Sequence, residues 1–307
     1  MPSNQYPLGA LPARFRRQRL LIIGCGDVGL RVARSLPARP RLLALTSSSA
    51  RVPELRAAGV TPLVGNLDDA ASLARLAGLA TRVLHLAPPP SVGDIDTRSL
   101  ALGRVLRRRA LPQALVYAST TGVYGDCAGA WVAESRTLAP ATPRALRRVN
   151  AEGAMRHLGR AGVRVSMLRV PGIYAPDREG GTPEARLRRG TPVLAQHDDV
   201  YTNHIHADDL ARACVAALWR GAPQRAYNVA DTSELKMGDY FDLAADLYGL
   251  PRPPRVPRNE AQEQLPLSLL SFMGESRRLV TTRMQRELRL RLRYPTVRQG
   301  LASHQRG

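Results

Sequence analysis

The chain has 307 residues, 44% hydrophobic and 23% charged, the make-up of an ordinary globular protein with room for one large α/β domain and a smaller appendage. Its formal net charge of +20 is almost wholly arginine, since Lys236 is the only lysine, and aromatics are only 5%. Charge spread in that way argues against a nucleic-acid surface, which clusters its cations among rings, and the strand-sized apolar runs exclude a membrane-spanning helix.

The first 18 residues hold prolines and all but the last residue of the basic run RFRRQR (14–19) but no apolar h-region, so residues 1–18 read as a flexible basic tail rather than a secretory signal. The stretch RLLIIGCGDVGLRVARS (19–35) follows. Leu20 to Ile23 form an unbroken apolar run, Gly24, Gly26 and Gly29 have the spacing G-x-G-x-x-G, and Val28, Leu30, Val32 and Ala33 recur at helical intervals. The pattern predicts a buried strand, a glycine turn and a helix. In that setting the first glycine permits the turn, the second lets backbone approach a pyrophosphate, and the third lets helix pack on strand. The phosphates then meet free N–H groups at the positive end of the helix.

Further strands are predicted at RLLALT (41–46), TPLVG (61–65), RVLHLA (82–87), ALVYAS (114–119) and VRVSMLRV (163–170). Helices fall between them at 53–58, 69–77, 95–110 and 143–161, with Arg107 to Arg109 late in the third of these, where cations suit the dipole. Strands alternating with helices predict a Rossmann-type, doubly wound parallel sheet. Pro88, Pro89 and Pro90 stop regular structure at the carboxyl edge, where such sheets bind ligands. Beyond Val170, a helix from Ala207 to Arg220 and a strand AYNVA (226–230) return to the sheet. PRPPRVPR (251–258) reads as an exposed connector and 282–290 as a short amphipathic helix.

Cys25, Cys127 and Cys214 lie far apart, and His85, His157, His197, His204, His206 and His304 show no zinc spacing. No metal is expected, and the unpaired cysteines fit a reducing, cytoplasmic location. At the end of the second strand, where a carboxylate holds the ribose of NAD, the sequence has Thr46, Ser47, Ser48, Ser49, Ala50 and Arg51. Hydroxyls and a guanidinium suit a 2′-phosphate, so NADP(H) is preferred over NAD(H), with Arg51 and Ser47 as contacts.

With STTGVYG (119–125) in view, the chain resembles the extended short-chain dehydrogenase/reductases, the NAD-dependent epimerase/dehydratase group. HLAPP (85–89), RVPGIYAP (169–176), HIHADDLA (204–211) and YNVAD (227–231) extend the likeness over nearly the whole length. The resemblance implies a cofactor domain (19–175 plus 201–230) and a small substrate portion (176–200 plus 231–307). It also implies cofactor contacts from Gly24, Cys25, Gly26, Asp27, Val28 and Gly29, then Asn66, Leu67, Leu86 and Ala87, and finally Arg148, Pro171, Gly172 and Ile173.

In that family a Ser or Thr polarises the substrate oxygen, which points to Thr120 with Ser119 beside it. The general acid/base is the tyrosine of a Y-x-x-x-K helix; counting back from Glu152 puts Arg148 at the lysine position and Arg144 at the tyrosine position. Realignment cannot restore the pair, because Thr232 lies four residues before Lys236. This resembles an atypical branch with a degraded catalytic set. The Asp-Glu pair of the sugar dehydratases is replaced by Thr121 and Gly122, which argues against dehydration, and the helix at 94–111 lacks the Asn of many relatives.

Tyr124 is the first candidate to handle the proton and Tyr174 the second. His85, His204 and His206 read as structural, and Asp208 as a helix cap. The expectation is an NADP-dependent oxidoreductase or epimerase acting on a carbonyl or secondary alcohol of a small-molecule substrate. The alternative is a non-catalytic NADP(H) sensor, motivated by the missing pair. Relatives often form homodimers through helices matching 94–110 and 143–161, both arginine-rich here, which leaves the oligomeric state open.

Overall fold

The computed structural model describes residues 18–36 and 40–303; the tail up to residue 17 and His304 lie outside the described residues. The chain begins with β1 (Arg19–Ile23), α1 (Asp27–Ser35), β2 (Arg41–Thr46), α2 (Val52–Ala57), β3 (Thr61–Val64) and β4 (Arg82–His85). It continues through α3 (Thr97–Leu106), β5 (Ala114–Thr120), β6 (Trp131–Val132), α4 (Pro143–Gly159), β7 (Arg164–Val170) and β8 (Gly172–Tyr174). Then come α5 (Glu184–Arg188), β9 (Val193–Leu194), β10 (His204–His206), α6 (Ala207–Arg220), β11 (Arg225–Asn228) and α7 (Met237–Tyr248). The last elements are β12 (Arg255–Val256), α8 (Arg258–Gln264), α9 (Leu267–Met273), β13 (Arg278–Leu279), α10 (Thr282–Arg286) and α11 (Val297–Leu301).

Seven strands form one parallel sheet in the order β11-β7-β5-β4-β1-β2-β3. The chain starts in the middle at β1, builds outward to β3, then crosses back to β4, so the order reverses between β1 and β4. That is the doubly wound arrangement, and its reversal point opens a crevice at the carboxyl ends of the strands. Because strand side chains alternate, Leu20 and Ile22 enter the core under α1 and α6, while Leu21 and Ile23 enter the core under α3 and α4. All four are fully buried, which explains why β1 reads as a continuous apolar run. Pro62 is tolerated in β3 because that strand is the sheet's edge.

The remainder of the chain packs a third core around Tyr174, Met237, Tyr240 and Phe241, and adds three short parallel pairs, β8 with β10, β9 with β12 and β6 with β13.

Five expectations are corrected. The predicted helix at 69–77 is only a 3-10 turn at Ala74–Leu76. The side chains of Asn66 and Asp69 capture the N–H groups of Asp68 and Ala71, each at 3.0 Å, so local turns outcompete a helix there. Helix α3 ends before Arg107, leaving Arg107 to Arg109 beyond it, and Arg107 instead reaches His157 on α4 at 2.9 Å.

PRPPRVPR is no simple exposed link: Arg255–Val256 pairs with β9, Val256 is buried, and Arg255 bonds Asp242 at 2.6 Å. The helix predicted at 282–290 is a single turn, α10. Asp208 does not cap α6 either. His206 does, its Nδ1 accepting from the Asp208 N–H at 3.2 Å, while the Asp208 carboxylate pairs with Arg31.

Candidate functional site

At the end of β1 the three glycines occupy three different environments. Gly24 has φ +80°, and a Cβ there would lie 2.5 Å from the Ala87 backbone nitrogen. The turn is pressed against the end of β4, where Leu86 and Ala87 donate to the Ile23 carbonyl at 2.8 and 3.1 Å. A Cβ on Gly26 would meet nothing within 4 Å; this residue begins α1 with no side-chain cap. A Cβ on Gly29 would sit 3.3 Å from Ile22 and 3.1 Å from the Cys25 sulfur, so here the helix rides close on the strand. The loop therefore leaves bare N–H groups at a helix start beside open space, the geometry that receives a diphosphate.

Cys25 is buried, and burial pushes its thiol up to about 11, which makes it packing rather than a nucleophile. Val28 packs on the core, and Asp27 opens α1 with its carboxylate 2.9 Å from Arg31 Nε.

Arg51 lies across this loop, Nη1 donating to the Cys25 carbonyl at 2.7 Å. Its Nε and Nη2 both reach Glu54, at 2.9 and 2.8 Å. The stretch Thr46 to Arg51 at the end of β2 holds no carboxylate. The 3-10 turn at Ser49–Arg51 folds the start of α2 back and brings Glu54 there. The signal that could have found it was the i,i+3 spacing to Arg51.

Ser47 is exposed at the same edge. Asn66 and Leu67 follow β3, and this turn is tied to the loop after β4 by Arg98, which holds Asp68 at 2.8 and 2.6 Å and the Pro88 carbonyl at 3.2 Å. The edges of β1, β2, β3 and β4 thus converge around the glycine loop. Pro171, Gly172 and Ile173 lie at β7 to β8, on the other side of β5 from β4.

At the end of β5, Ser119 is buried and its Oγ has no hydrogen-bond partner among the described residues. Thr120 accepts from the Gly122 N–H at 3.3 Å. Arg148 reaches this strand from α4, Nη1 donating to the Ala118 carbonyl at 2.7 Å and to the Tyr117 hydroxyl at 3.1 Å. Ser119, Thr120 and Arg148 are therefore neighbours. Burial and the nearby Arg148 and Arg147 lower the pKa of Arg144, but a guanidinium is no proton shuttle at neutral pH.

Tyr124 lies inside the fold. It is 1% exposed, its hydroxyl donates to Asn228 Oδ1 at 2.7 Å and accepts from Arg169 at 2.8 Å, and burial raises its pKa. Arg169 in turn grips Glu152 through two bonds of 3.0 and 2.8 Å and the Glu134 carbonyl at 3.0 Å. This network holds the loop after β5.

Tyr174 is buried too: it is 2% exposed, stands edge-on to His204 and His206, and burial raises its pKa strongly. His85 Nε2 donates to Ser99 Oγ over 2.9 Å, because the Ser99 hydroxyl gives its one proton to Asp96 at 2.6 Å. Burial holds the pKa of His85 down to about 3 and that of His204 to about 4, so both are neutral core groups.

A cavity of about 240 Å³ opens between Trp131, Asn203, Asp231 and Arg278; none of the expected cofactor or catalytic residues lines it. Among the described residues no cluster of His, Cys, Asp or Glu suits a metal ion, no helix is long and apolar enough to cross a membrane, and the three cysteines are free and buried.

No curated protein matches the chain. Among solved structures, a conserved protein of unknown function from Silicibacter pomeroyi is 31% identical, with a TM-score of 0.79 over 94% of this chain and 98% of its own. UDP-glucose 4-epimerase from Thermotoga maritima, solved with UDP-glucose, is 19% identical, with a TM-score of 0.76 over 92% of this chain and 96% of its own. A dTDP-glucose 4,6-dehydratase from Streptomyces venezuelae, solved with NAD, is 22% identical, with a TM-score of 0.73 over 93% and 95%. The last two likenesses speak for the fold. The profile of the NAD dependent epimerase/dehydratase family matches residues 20–230, most of the sheet and its glycine loop, and the chain belongs to that family.

Proposed function

We propose that this protein binds a nicotinamide dinucleotide across Gly24 to Gly29 and acts as an oxidoreductase or epimerase on a carbonyl or secondary alcohol of a small-molecule substrate. The observation that carries this reading is the glycine loop, bare at Gly26 and pressed onto Ala87 at Gly24, beside a strand end that bears Ser119 and Thr120. The dinucleotide, when bound, would supply or accept hydride, and the matching proton would pass between the reacting oxygen and water by way of the Thr120 and Ser119 hydroxyls. Thr120 and Ser119 hydrogen-bond the reacting oxygen. Arg148 holds the strand end and offers a fixed positive charge where negative charge develops on that oxygen.

Elimination lacks an acid–base pair, because Thr121 and Gly122 stand where the sugar dehydratases carry acids. Residues 19–175 and 201–230 serve the cofactor, with Asn66, Leu67, Leu86, Ala87 and Pro171 to Ile173 lining its path. Residues 176–200 and 231–307 serve the substrate. The buried free thiols suit a reducing, cytoplasmic setting. Pairing of two copies through α3 and α4 remains part of this reading.

The test is turnover of a panel of aldehydes, ketones and secondary alcohols, sugar-like ones included. Thr120→Val should lower kcat about a hundredfold, the usual loss for one donor to a developing oxyanion. Tyr124→Phe should keep kcat within about threefold while losing about 1–3 kcal/mol of stability, because Arg169 and Asn228 each lose a buried partner. A catalytic tyrosine would reverse that pattern.

We propose NADP(H) over NAD(H), with Ser47 and Arg51 taking the 2′-phosphate. Glu54 competes for Arg51, so Glu54→Gln should raise the NADP⁺:NAD⁺ affinity ratio and Arg51→Ala should lower it, each by roughly tenfold, read by calorimetry. Unchanged ratios in both variants would remove the assignment. A second reading, a non-catalytic NADP(H) sensor, is favoured by Arg144 and Arg148 standing at the Tyr and Lys positions. Dinucleotide binding without turnover of any panel member, together with redox-dependent binding of a protein partner, would select it.

A further inference from the structure

Asp27 puts a carboxylate on the first turn of α1, beside the place where a diphosphate would sit on the helix N-terminus. An acid there repels the ligand unless it is neutralised. Arg31 takes one oxygen of Asp27, but its other two nitrogens are engaged by Asp208 at 2.6 Å and Asp177 at 2.7 Å. Each of its three nitrogens already has a carboxylate partner.

Arg178 is placed differently. Its Nε stands 3.8 Å from Asp27 Oδ2, too far for a hydrogen bond. Among the described residues neither Arg178 Nη1 nor Asp27 Oδ2 has a hydrogen-bond partner, although both atoms are enclosed by the fold. An enclosed charged donor without an acceptor is costly, and such groups in folded proteins point to a missing partner. About a third of the Arg178 side chain, 31%, stays open to solvent.

The segment that carries Arg178 is preorganised. Ala175 N–H donates to the Gly181 carbonyl at 3.1 Å, and the N–H groups of Arg178 and Gly181 close two further turns at 3.2 and 2.9 Å. A Cβ on Gly181 would lie 2.4 Å from the Ala175 carbonyl oxygen, so the loop closes this tightly only with glycine. The Asp177–Arg31 pair fastens the loop to α1.

We propose that Arg178 is the diphosphate clamp of the dinucleotide site: its guanidinium turns from Asp27 to the phosphate oxygens while Arg31 keeps Asp27 neutralised. The inference rests on the dinucleotide reading above and extends it to a residue outside the glycine loop, on a segment some 150 residues further along the chain.

The test compares ADP-ribose, which carries the diphosphate, with adenosine, which does not. Both are titrated into the full chain, the former by calorimetry and the latter by saturation-transfer NMR. Arg178→Ala should weaken ADP-ribose binding by roughly ten- to a hundredfold and flatten its salt dependence, with adenosine binding unchanged. Arg178→Lys, which keeps the charge and loses the fork, should fall between the two. Equal ADP-ribose affinity in wild type and both variants overturns the clamp and leaves the dinucleotide reading intact. A wild-type protein that binds no ADP-ribose overturns that reading, and the clamp with it.

Discussion

Gly24→Ala is expected to destabilise the protein by about 3 kcal/mol or more and to abolish dinucleotide binding. Two costs add. A Cβ at φ +80° costs roughly 1–2 kcal/mol by itself. It would also lie 2.5 Å from the Ala87 nitrogen, and because that atom belongs to the backbone at the end of β4, relief requires moving the strand rather than a side chain. Overpacking of that kind costs roughly 1–3 kcal/mol.

Gly26→Ala is the informative contrast. Its φ is −83° and its Cβ would meet nothing within 4 Å, so this variant should fold with an unchanged urea midpoint and still lose dinucleotide affinity, because the methyl enters the open space. Urea unfolding and calorimetry on the pair separate the glycine that shapes the loop from the one that faces the ligand. If Gly26→Ala binds as well as wild type, the open space is not the diphosphate site.

Arg169→Met is the second large effect. Arg169 and Glu152 are each 2% exposed and joined by two hydrogen bonds, so removing the guanidinium leaves a carboxylate buried and unpaired. Breaking a buried pair from one side costs roughly 3–5 kcal/mol. The Tyr124 hydroxyl and the Glu134 carbonyl lose a donor in the same step, which loosens the loop that carries Thr120.

The double variant Arg169→Met with Glu152→Met should recover much of the loss, since the stranded charge is gone. A double-mutant cycle in urea measures this, and the expected sign is a double variant more stable than the sum of the single changes. Additive losses would mean that the pair acts through packing alone.

What the sequence disclosed and what it hid differ in kind. The seven strands and the glycine loop were legible because burial on both faces leaves continuous apolar runs, and because glycine spacing encodes backbone geometry directly. Leu20 to Ile23, alternating between two cores, are the example. Elements of two or three residues were not legible: β6, β9, β12 and β13 exist because distant segments pair, and no local period marks them.

The site followed the same division. Thr120 and Ser119 lie at the strand end where the motif put them. The Tyr124 hydroxyl is held by Arg169 and Asn228, which are 45 and 104 residues away, so no local pattern announces its setting. Glu54 is brought onto Arg51 by a 3-10 turn that no local pattern marks, and the Arg178–Asp27 encounter is visible only once the loop after β8 is docked against α1. Arginine composition concealed all of these, since no single arginine stands out among so many.

The central claim is that the glycine loop binds a nicotinamide dinucleotide. The most direct measurement is calorimetric titration of the nucleotide-free protein with NADP⁺ and with NAD⁺. One dinucleotide bound per chain, NADP⁺ more tightly than NAD⁺, with binding lost in Gly26→Ala, is the predicted result. No binding heat with either dinucleotide at millimolar concentration, from a protein that unfolds cooperatively, would contradict the account.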